Sequence, residues 1–392
     1  MENTHFSRLG TPKPDPIFAI SKQAQECGPE AIDATIGVCM DEQSSPLVFS
    51  TVREAEEKRV REMQSGDFSY PPILGLERYR HAVQSLILGA SQADTAFASF
   101  SAAGGQGALH MNLNLLKRMM PDVSLILPVP AWGNHYDLLR GARIPTVEAA
   151  TLDQGKPATD AIVRTLQSTS GEVAVLLQVS GHNPTGLDFT SEQWNELTDA
   201  MERKNAVAFL DCAYQGLTDD PESDALVPRL FAKRDIATLI SWSASKNHSM
   251  YGYRTGLAGA MVKSDEMKRL IEGHYSDISG ELQSAAPSPG QAIVSIVQER
   301  LKEEWLCELE SVRTLIARKR SDLIQLLATE EFSTALQGKG LFAKLPLDFS
   351  QLERLRNEKK VFLLDDGRIN IAGVPFSRIG ELAEKILSVV LR

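Results

Sequence analysis

Four short, almost wholly apolar runs lie in the middle of the chain, separated by helical patterns, and this alternation limits the folds open to it. They are Val123-Ser-Leu-Ile-Leu-Pro128, Val173-Ala-Val-Leu-Leu-Gln-Val179, Ala206-Val-Ala-Phe-Leu210 and Ala237-Thr-Leu-Ile-Ser241. A strand with no polar face must be covered on both sides, which is the condition of a mainly parallel sheet between helical layers. Between two of the runs, Thr190-Ser-Glu-Gln193 is a capping-box start for a helix to about Lys204. Strand–helix–strand alternation of this kind predicts an α/β layer, with 257–262 as an antiparallel addition. Further on, 298–327 reads as one long amphipathic helix. The strands 340–344 and 368–372 and a last helix over 376–391 follow it. These form a second, α+β domain, against which the first forty residues pack. A length of 392 residues suits two such units.

Lys plus Arg is 41 and Asp plus Glu is 51, a net charge of −10. So acidic a chain is a poor non-specific nucleic-acid binder, although one local basic pocket suffices for a small anion. Cys27, Cys39, Cys212 and Cys307 stand far apart with no CxxC pairing. That spacing suggests neither a metal site nor a disulfide framework, and isolated thiols suit a reducing cytoplasm. Met1–His5 shows no leader pattern, and no apolar run reaches the length of a membrane span.

Several residues just after the apolar runs carry potential chemistry. Lys246, in Ser241-Trp-Ser-Ala-Ser-Lys-Asn247, is either a strand-end lysine reaching water or a buried amine. Burial disfavours the charged form, and a neutral amine attacks an aldehyde. Arg254, among glycines, is either a phosphate clamp or half of a surface ion pair. The turn Ala102-Ala-Gly-Gly-Gln-Gly-Ala-Leu109 opens a helix over 109–119. Its N–H groups and dipole would favour a phosphate, or the glycines serve only as a cap. It fits neither GxGxxG nor GxxxxGK[ST], so dinucleotide and P-loop readings lack their fingerprint. Asp211, ahead of Tyr214, is a site carboxylate at a strand end or a helix cap. Gly181-His-Asn-Pro-Thr-Gly186 is a turn in which Asn183 is free to bond a ligand and Pro184 is a candidate cis proline. Trp132, in Pro128-Val-Pro-Ala-Trp-Gly-Asn-His135, is a packed anchor or a platform for a flat ring. Jointly they offer an amine, an anion cradle, an acid, a phenol, an amide and an aromatic plate, an inventory for a flat, phosphorylated, pyridine-like aldehyde.

In these motifs and their order the sequence resembles the aspartate/aromatic aminotransferases of the type I pyridoxal-phosphate fold, from about Asp33 to Gly373. Ser-Ala-Ser-Lys246-Asn with Tyr251 and Arg254, Asp211-Cys-Ala-Tyr214, His182-Asn183-Pro-Thr-Gly, Trp132-Gly-Asn-His135, Tyr70-Pro-Pro-Ile-Leu-Gly and Gly367-Arg368-Ile-Asn carry the likeness. The resemblance implies a large domain over 45–310, with a mixed, mainly parallel sheet flanked by helices. It also implies a smaller α+β domain from 1–44 and 311–392. Pyridoxal 5'-phosphate is the implied cofactor, held by Lys246 as an internal Schiff base. Lys246 would also shuttle the substrate proton. Asp211 would pair with the pyridine nitrogen and His135 would support it. Tyr214 and Asn183 would bond the phenolate oxygen, and Trp132 would stack on the ring. Gly105, Gln106, Ser243 and Arg254 would hold the phosphate, with Tyr70 supplied by a second subunit of a homodimer. Arg368 would grip the α-carboxylate, and Ile36 and Gly37 would lie on a segment closing over the substrate. The substrates would be an amino acid and a 2-oxo acid, with no nucleic acid, membrane or metal.

The sequence departs from this pattern at two places. Gly104-Gly105-Gln106 stands where the family commonly has Ser-Gly-Thr, which removes two hydroxyl donors. The second is the arginine that dicarboxylate users of the family bring in from the neighbouring subunit to hold the distal carboxylate. No arginine lies between Arg269 and Arg300, and counting back from the turn at Pro287 gives Glu281 in its place. Aspartate and glutamate are therefore not the expected donors. A neutral, aromatic or cationic side chain is, and Glu281 is either a partner for a cation or a solvated loop residue. The competing readings are a lyase on the same fold, a sensor with a vestigial site and, last, an oxidoreductase.

Overall fold

The computed structural model describes residues 6–12, 14–89, 96–234 and 236–391. Met1–His5, read above for a leader, lie outside the described residues. A seven-stranded sheet forms the centre: β1 (Ala96–Ala103), β2 (Ser124–Val129), β3 (Thr146–Ala150), β4 (Val173–Gln178), β5 (Val207–Cys212), β6 (Thr238–Ser243) and β7 (Thr255–Val262). The spatial order is β1-β7-β6-β5-β4-β2-β3. β7 runs antiparallel to both neighbours, and the other pairs are parallel.

Alternate residues of each strand feed two separate apolar layers. Val175, Leu177, Ala208, Leu210, Ile240 and Trp242 pack on one face. Leu125, Leu127, Leu176, Phe209, Leu239 and Ala258 pack on the other. Both faces are covered by helices, as the apolar runs require, and each large side chain so buried contributes about 1.5–3 kcal/mol. The helix after Thr190 spans Ser191–Lys204, and Thr190 and Gln193 exchange both capping-box bonds.

Several details differ from the sequence reading. β1 (Ala-Phe-Ala-Ser-Phe-Ser-Ala-Ala) escapes notice because it has no β-branched residue. It is a strand because small residues let it press on β7, where a Cβ on Gly259 would lie 2.2 Å from the Phe97 ring. The single helix expected over 298–327 is two, Pro289–Arg300 and Lys302–Leu327. They break at Leu301 (φ −134°, ψ 23°), whose buried side chain keeps the apolar pattern continuous across the joint. The strand expected over 368–372 is Arg368–Asn370, followed by a tight turn at Ile371–Gly373. Glu281 lies in the last turn of the helix Asp265–Leu282, not in a loop, and accepts from Arg118 Nη2 at 2.9 Å.

The C-terminal elements build their own core, in which Ile32 and Ala34 join Leu323, Leu336, Leu345, Ile369, Leu382 and Ile386. Ile32–Asp33 pairs in parallel with Val361–Phe362, and Phe342–Lys344 pairs antiparallel with Arg368–Asn370. The helix Lys302–Leu327 is shared. Its Trp305, Leu309 and Ile316 belong to a core layer of the central sheet, whereas Leu323 and Leu327 belong to the C-terminal core. Among the described residues no helix is long and apolar enough to cross a membrane.

Candidate functional site

The C-terminal ends of the parallel strands deliver the polar residues to one place. Gln178, Asp211 and Ser241 stand side by side on β4, β5 and β6. A cavity of about 480 Å³ opens above them. It is lined by Lys246, Asp211, Tyr214, Asn183, Trp132 and Arg368 and, at one end, by Gly105, Gln106, Ser243 and Arg254. Ile36 and Gly37 close another side. His135 stands behind Asp211 rather than on the cavity wall.

Lys246 follows β6 and is half-buried in the cavity wall. Burial lowers its amine to about 8. Asp211 opposes the shift, and Arg254 and Arg368 add to it. Much of the amine is therefore neutral near pH 8, the form that attacks a carbonyl. Asp211 is buried on β5, and its Oδ2 lies 3.0 Å from Nε2 of the fully buried His135. The Trp132 ring meets His135 edge-on at 5.3 Å.

Around Tyr214 the groups form a chain. Asn183 Nδ2 donates to the Tyr214 hydroxyl (3.3 Å) and Asn183 Oδ1 accepts from Arg368 Nη1 (3.1 Å). Burial, with Asp211 nearby, raises the Tyr214 phenol, while Arg368 and Asn183 oppose the rise. Arg368 Nη2 donates to the Thr35 carbonyl at 2.7 Å, but its buried Nε has no partner. Burial lowers the Arg368 guanidinium, which lies 4.8 Å above the Phe342 ring. A buried guanidinium with a spare donor is prepared for an anion. Asn183–Pro184 is a cis peptide, as is Val129–Pro130.

The glycines at the far end make room for a second anion. Gly104 has φ +73°, and a Cβ there would lie 2.6 Å from Arg254 Nη2. A Cβ on Gly105 would lie 3.0 Å from Ser243 Cβ. The helix starts at Gly104, five residues earlier than expected from sequence, so its N-terminal amides face this end. The Ser243 hydroxyl donates to that of Ser245 at 3.0 Å. Amides, hydroxyls and a guanidinium together are a donor set of the kind that suits an anion such as phosphate.

Tyr70 is not brought to the cavity. It is 93% exposed, on a separate groove with Arg59, Arg78 and Pro289. A larger hollow of about 660 Å³, between Val48, Val52 and Tyr253, has no amine–acid pair of this kind. Among the described residues no cluster of three or more His, Cys, Asp or Glu could hold a metal ion.

Some site residues give little sign in sequence. Gln178 exchanges two bonds with the Asn183 backbone, and its only signal is a polar side chain at the end of an apolar run. Asn370 Nδ2 donates to the Ile36 and Val38 carbonyls (2.5 and 2.8 Å) and so holds the segment around Gly37. That segment lies so close to Phe342 that a Cβ on Gly37 would be 2.8 Å from the ring. Phe18, 66% exposed, lines the cavity mouth with Ile17 and Asp15.

A family model described as aminotransferase class I and II matches residues 29–386. The aromatic-amino-acid aminotransferase of Escherichia coli (strain K12) is 30% identical, over 98% of this chain and all of that protein. The aspartate aminotransferase of Pseudomonas aeruginosa is 29% identical, over 98% and 99% of the two chains. The crystal structure of the aromatic-amino-acid aminotransferase from Burkholderia pseudomallei, covalently bound to pyridoxal phosphate, superposes with a TM-score of 0.94. It is 28% identical and covers 98% of this chain and 99% of that one.

Proposed function

Given that the chain belongs to the class I and II aminotransferases, we propose that it moves the α-amino group of an amino acid to a 2-oxo acid in the cavity around Lys246. Pyridoxal phosphate is its cofactor. The observation that carries this reading is one cavity holding a lysine amine lowered to about 8, a buried carboxylate backed by histidine, and a buried arginine with a spare donor.

The residues fit the cofactor group by group. Gly104 and Gly105 leave space for a phosphate that any Cβ would fill, beside Ser243 and Arg254. Asp211 answers a protonated ring nitrogen, Tyr214 and Asn183 answer a ring oxygen, and Trp132 offers a flat face. When bound, pyridoxal phosphate supplies an electron sink that acidifies the donor's α-carbon.

The protein's own groups do the rest. Arg368 binds the α-carboxylate, using the donor left spare by Asn183 and Thr35. With the cofactor bound, the Lys246 amine would take the proton from the donor's α-carbon. A lysine lowered to about 8 accepts and releases a proton near neutral pH far more readily than an ordinary one. His135 Nε2, 3.0 Å from Asp211 Oδ2, holds that carboxylate in place beneath the cavity. Residues 45–310 are the cofactor-binding domain, and 1–44 with 311–392 are the domain that closes it. Tyr70 reaches the phosphate end of a second copy's cavity in a homodimer, which accounts for so exposed a tyrosine. The four free thiols suit a cytoplasmic enzyme.

The same cavity sets the donor class. Among the described residues its lining cations are Lys246, Arg254 and Arg368, all given roles above, and a second copy has no arginine between Arg269 and Arg300 to bring in, where Glu281 is held by Arg118. Ile17, Phe18, Ile36 and Leu109 give it an apolar side. Losing a charge-assisted bond to a distal carboxylate costs about 1.5–3 kcal/mol. Aspartate and glutamate should therefore show kcat/KM at least about tenfold below phenylalanine or tyrosine. A panel of donors, with the 2-oxo acid products identified, tests both parts. Aspartate as the best donor overturns the specificity, and release of ammonia without amino transfer overturns the reaction.

A further inference from the structure

Arg320 lies on the helix Lys302–Leu327, away from the cavity, and is 4% exposed. Its guanidinium has no ion-pair partner among the described residues. Instead it gathers backbone carbonyls. Nη1 donates to Leu336 (3.2 Å), Nε to Gly340 (3.3 Å), and Nη2 to Lys339 and Gly340 (both 3.0 Å) and to Phe342. Burial lowers it to about 10, with Asp188 opposing. A buried cation spent wholly on one short segment of backbone fixes the position of that segment.

That segment touches two parts of the site. On one side it docks on the turn that carries Asn183, at an all-glycine contact. A Cβ on Gly338 would lie 2.2 Å from the Gly186 carbonyl oxygen, and one on Gly340 would lie 3.0 Å from Gly181 Cα. Lys339 N donates to the Gly186 carbonyl at 2.7 Å. Asp188 holds the start of the same turn by accepting from Gly181 N and His182 N (2.9 and 3.0 Å). On the other side the segment runs into the strand Phe342–Lys344. There Phe342 pairs with Asn370 and Lys344 with Arg368. The Phe342 ring meets Tyr214 edge-on at 5.8 Å and lies beneath the Arg368 guanidinium.

We infer that Arg320 is a positioning residue for α-carboxylate recognition, setting the strand under Arg368 against the turn that carries Asn183. This rests on the reading of Arg368 given above. A planar fork reaches several carbonyls at once, which a lysine ammonium cannot do from the same place. In Arg320→Lys the charge stays while the fork is lost. The strand beneath Arg368 then shifts against a turn that stays with the cofactor, and a misplacement of about 1 Å is enough to cost recognition of the carboxylate.

The test uses the cofactor-loaded enzyme and an unreactive carboxylate, 3-phenylpropanoate, whose dissociation constant is read from the cofactor absorbance. Arg320→Lys and Arg320→Gln should weaken it at least about tenfold. KM for the amino-acid donor should rise in step, while kcat and the affinity for pyridoxal phosphate stay within about threefold. Slow turnover of 2-phenylethylamine, which has no carboxylate, should be unchanged. Carboxylate binding unchanged in both variants, or equal losses for the amine and the amino acid, would overturn the inference. Arg368→Ala is the control. If it leaves 3-phenylpropanoate binding intact, the reading of Arg368 fails first. If it alone weakens binding, only the role of Arg320 fails.

Discussion

Replacing Lys246 by alanine should lower kcat for amino transfer by about 10⁴-fold or more, with the fold and the affinity for a carboxylate ligand retained. The size follows from two losses in one substitution. The amine that accepts the substrate proton disappears, and such groups are worth about 10²–10⁴ in rate. The covalent hold on the cofactor disappears as well. Among the described residues no other lysine lines the cavity to take its place. Stability should not suffer, because Lys246 sits in a cavity wall and its charge is already costly to hold there. Single-turnover kinetics with an amino acid give the rate, and a melting curve gives the fold. Activity within tenfold of the parent would mean that another group does this work.

Asp211→Asn should be nearly as damaging for a different reason. The substitution keeps shape and removes the anion. His135 Nε2 then faces an amide, and a protonated ring nitrogen of the bound cofactor would lose the buried counter-charge proposed for it. Breaking a buried charge pair from one side costs about 3–5 kcal/mol. Applied to the transition state, that is about 10²- to 10⁴-fold in kcat. KM for the donor should change far less, because the carboxylate is bound elsewhere, by Arg368. The split between kcat and KM in steady-state kinetics checks this. A kcat within threefold of the parent would remove Asp211 from the chemistry.

The sheet was legible in the sequence because burial on both faces leaves an unambiguous mark: four apolar runs with almost no polar positions. The site residues were legible because they follow those runs. Lys246, Asp211, Asn183 and Trp132 each stand within a few residues of a strand end, where an α/β sheet presents its ligand. β1 left no such mark. Its alanines and serines are chosen for close contact with β7, which single-sequence propensity does not register. The break at Leu301 was hidden because a buried leucine fits the helical pattern whether or not the helix continues. Phe342 and Asn370 owe their place in the site to pairings across more than a hundred residues. No local pattern encodes such contacts. Arg320 is the clearest case. On a charged amphipathic helix an arginine reads as a solvated face, and only the fold turns it inward. Tyr70 points to solvent on a separate groove.

The central claim is that Lys246 carries the cofactor, and one measurement reaches it directly. The protein loaded with pyridoxal phosphate is treated with borohydride, digested, and searched by mass spectrometry for the residue that keeps a pyridoxyl group. The account predicts a single principal site, Lys246, whose labelling is lost when an amino-acid donor is added before reduction. Label on another lysine, or label on Lys246 that the donor leaves unchanged, would contradict it.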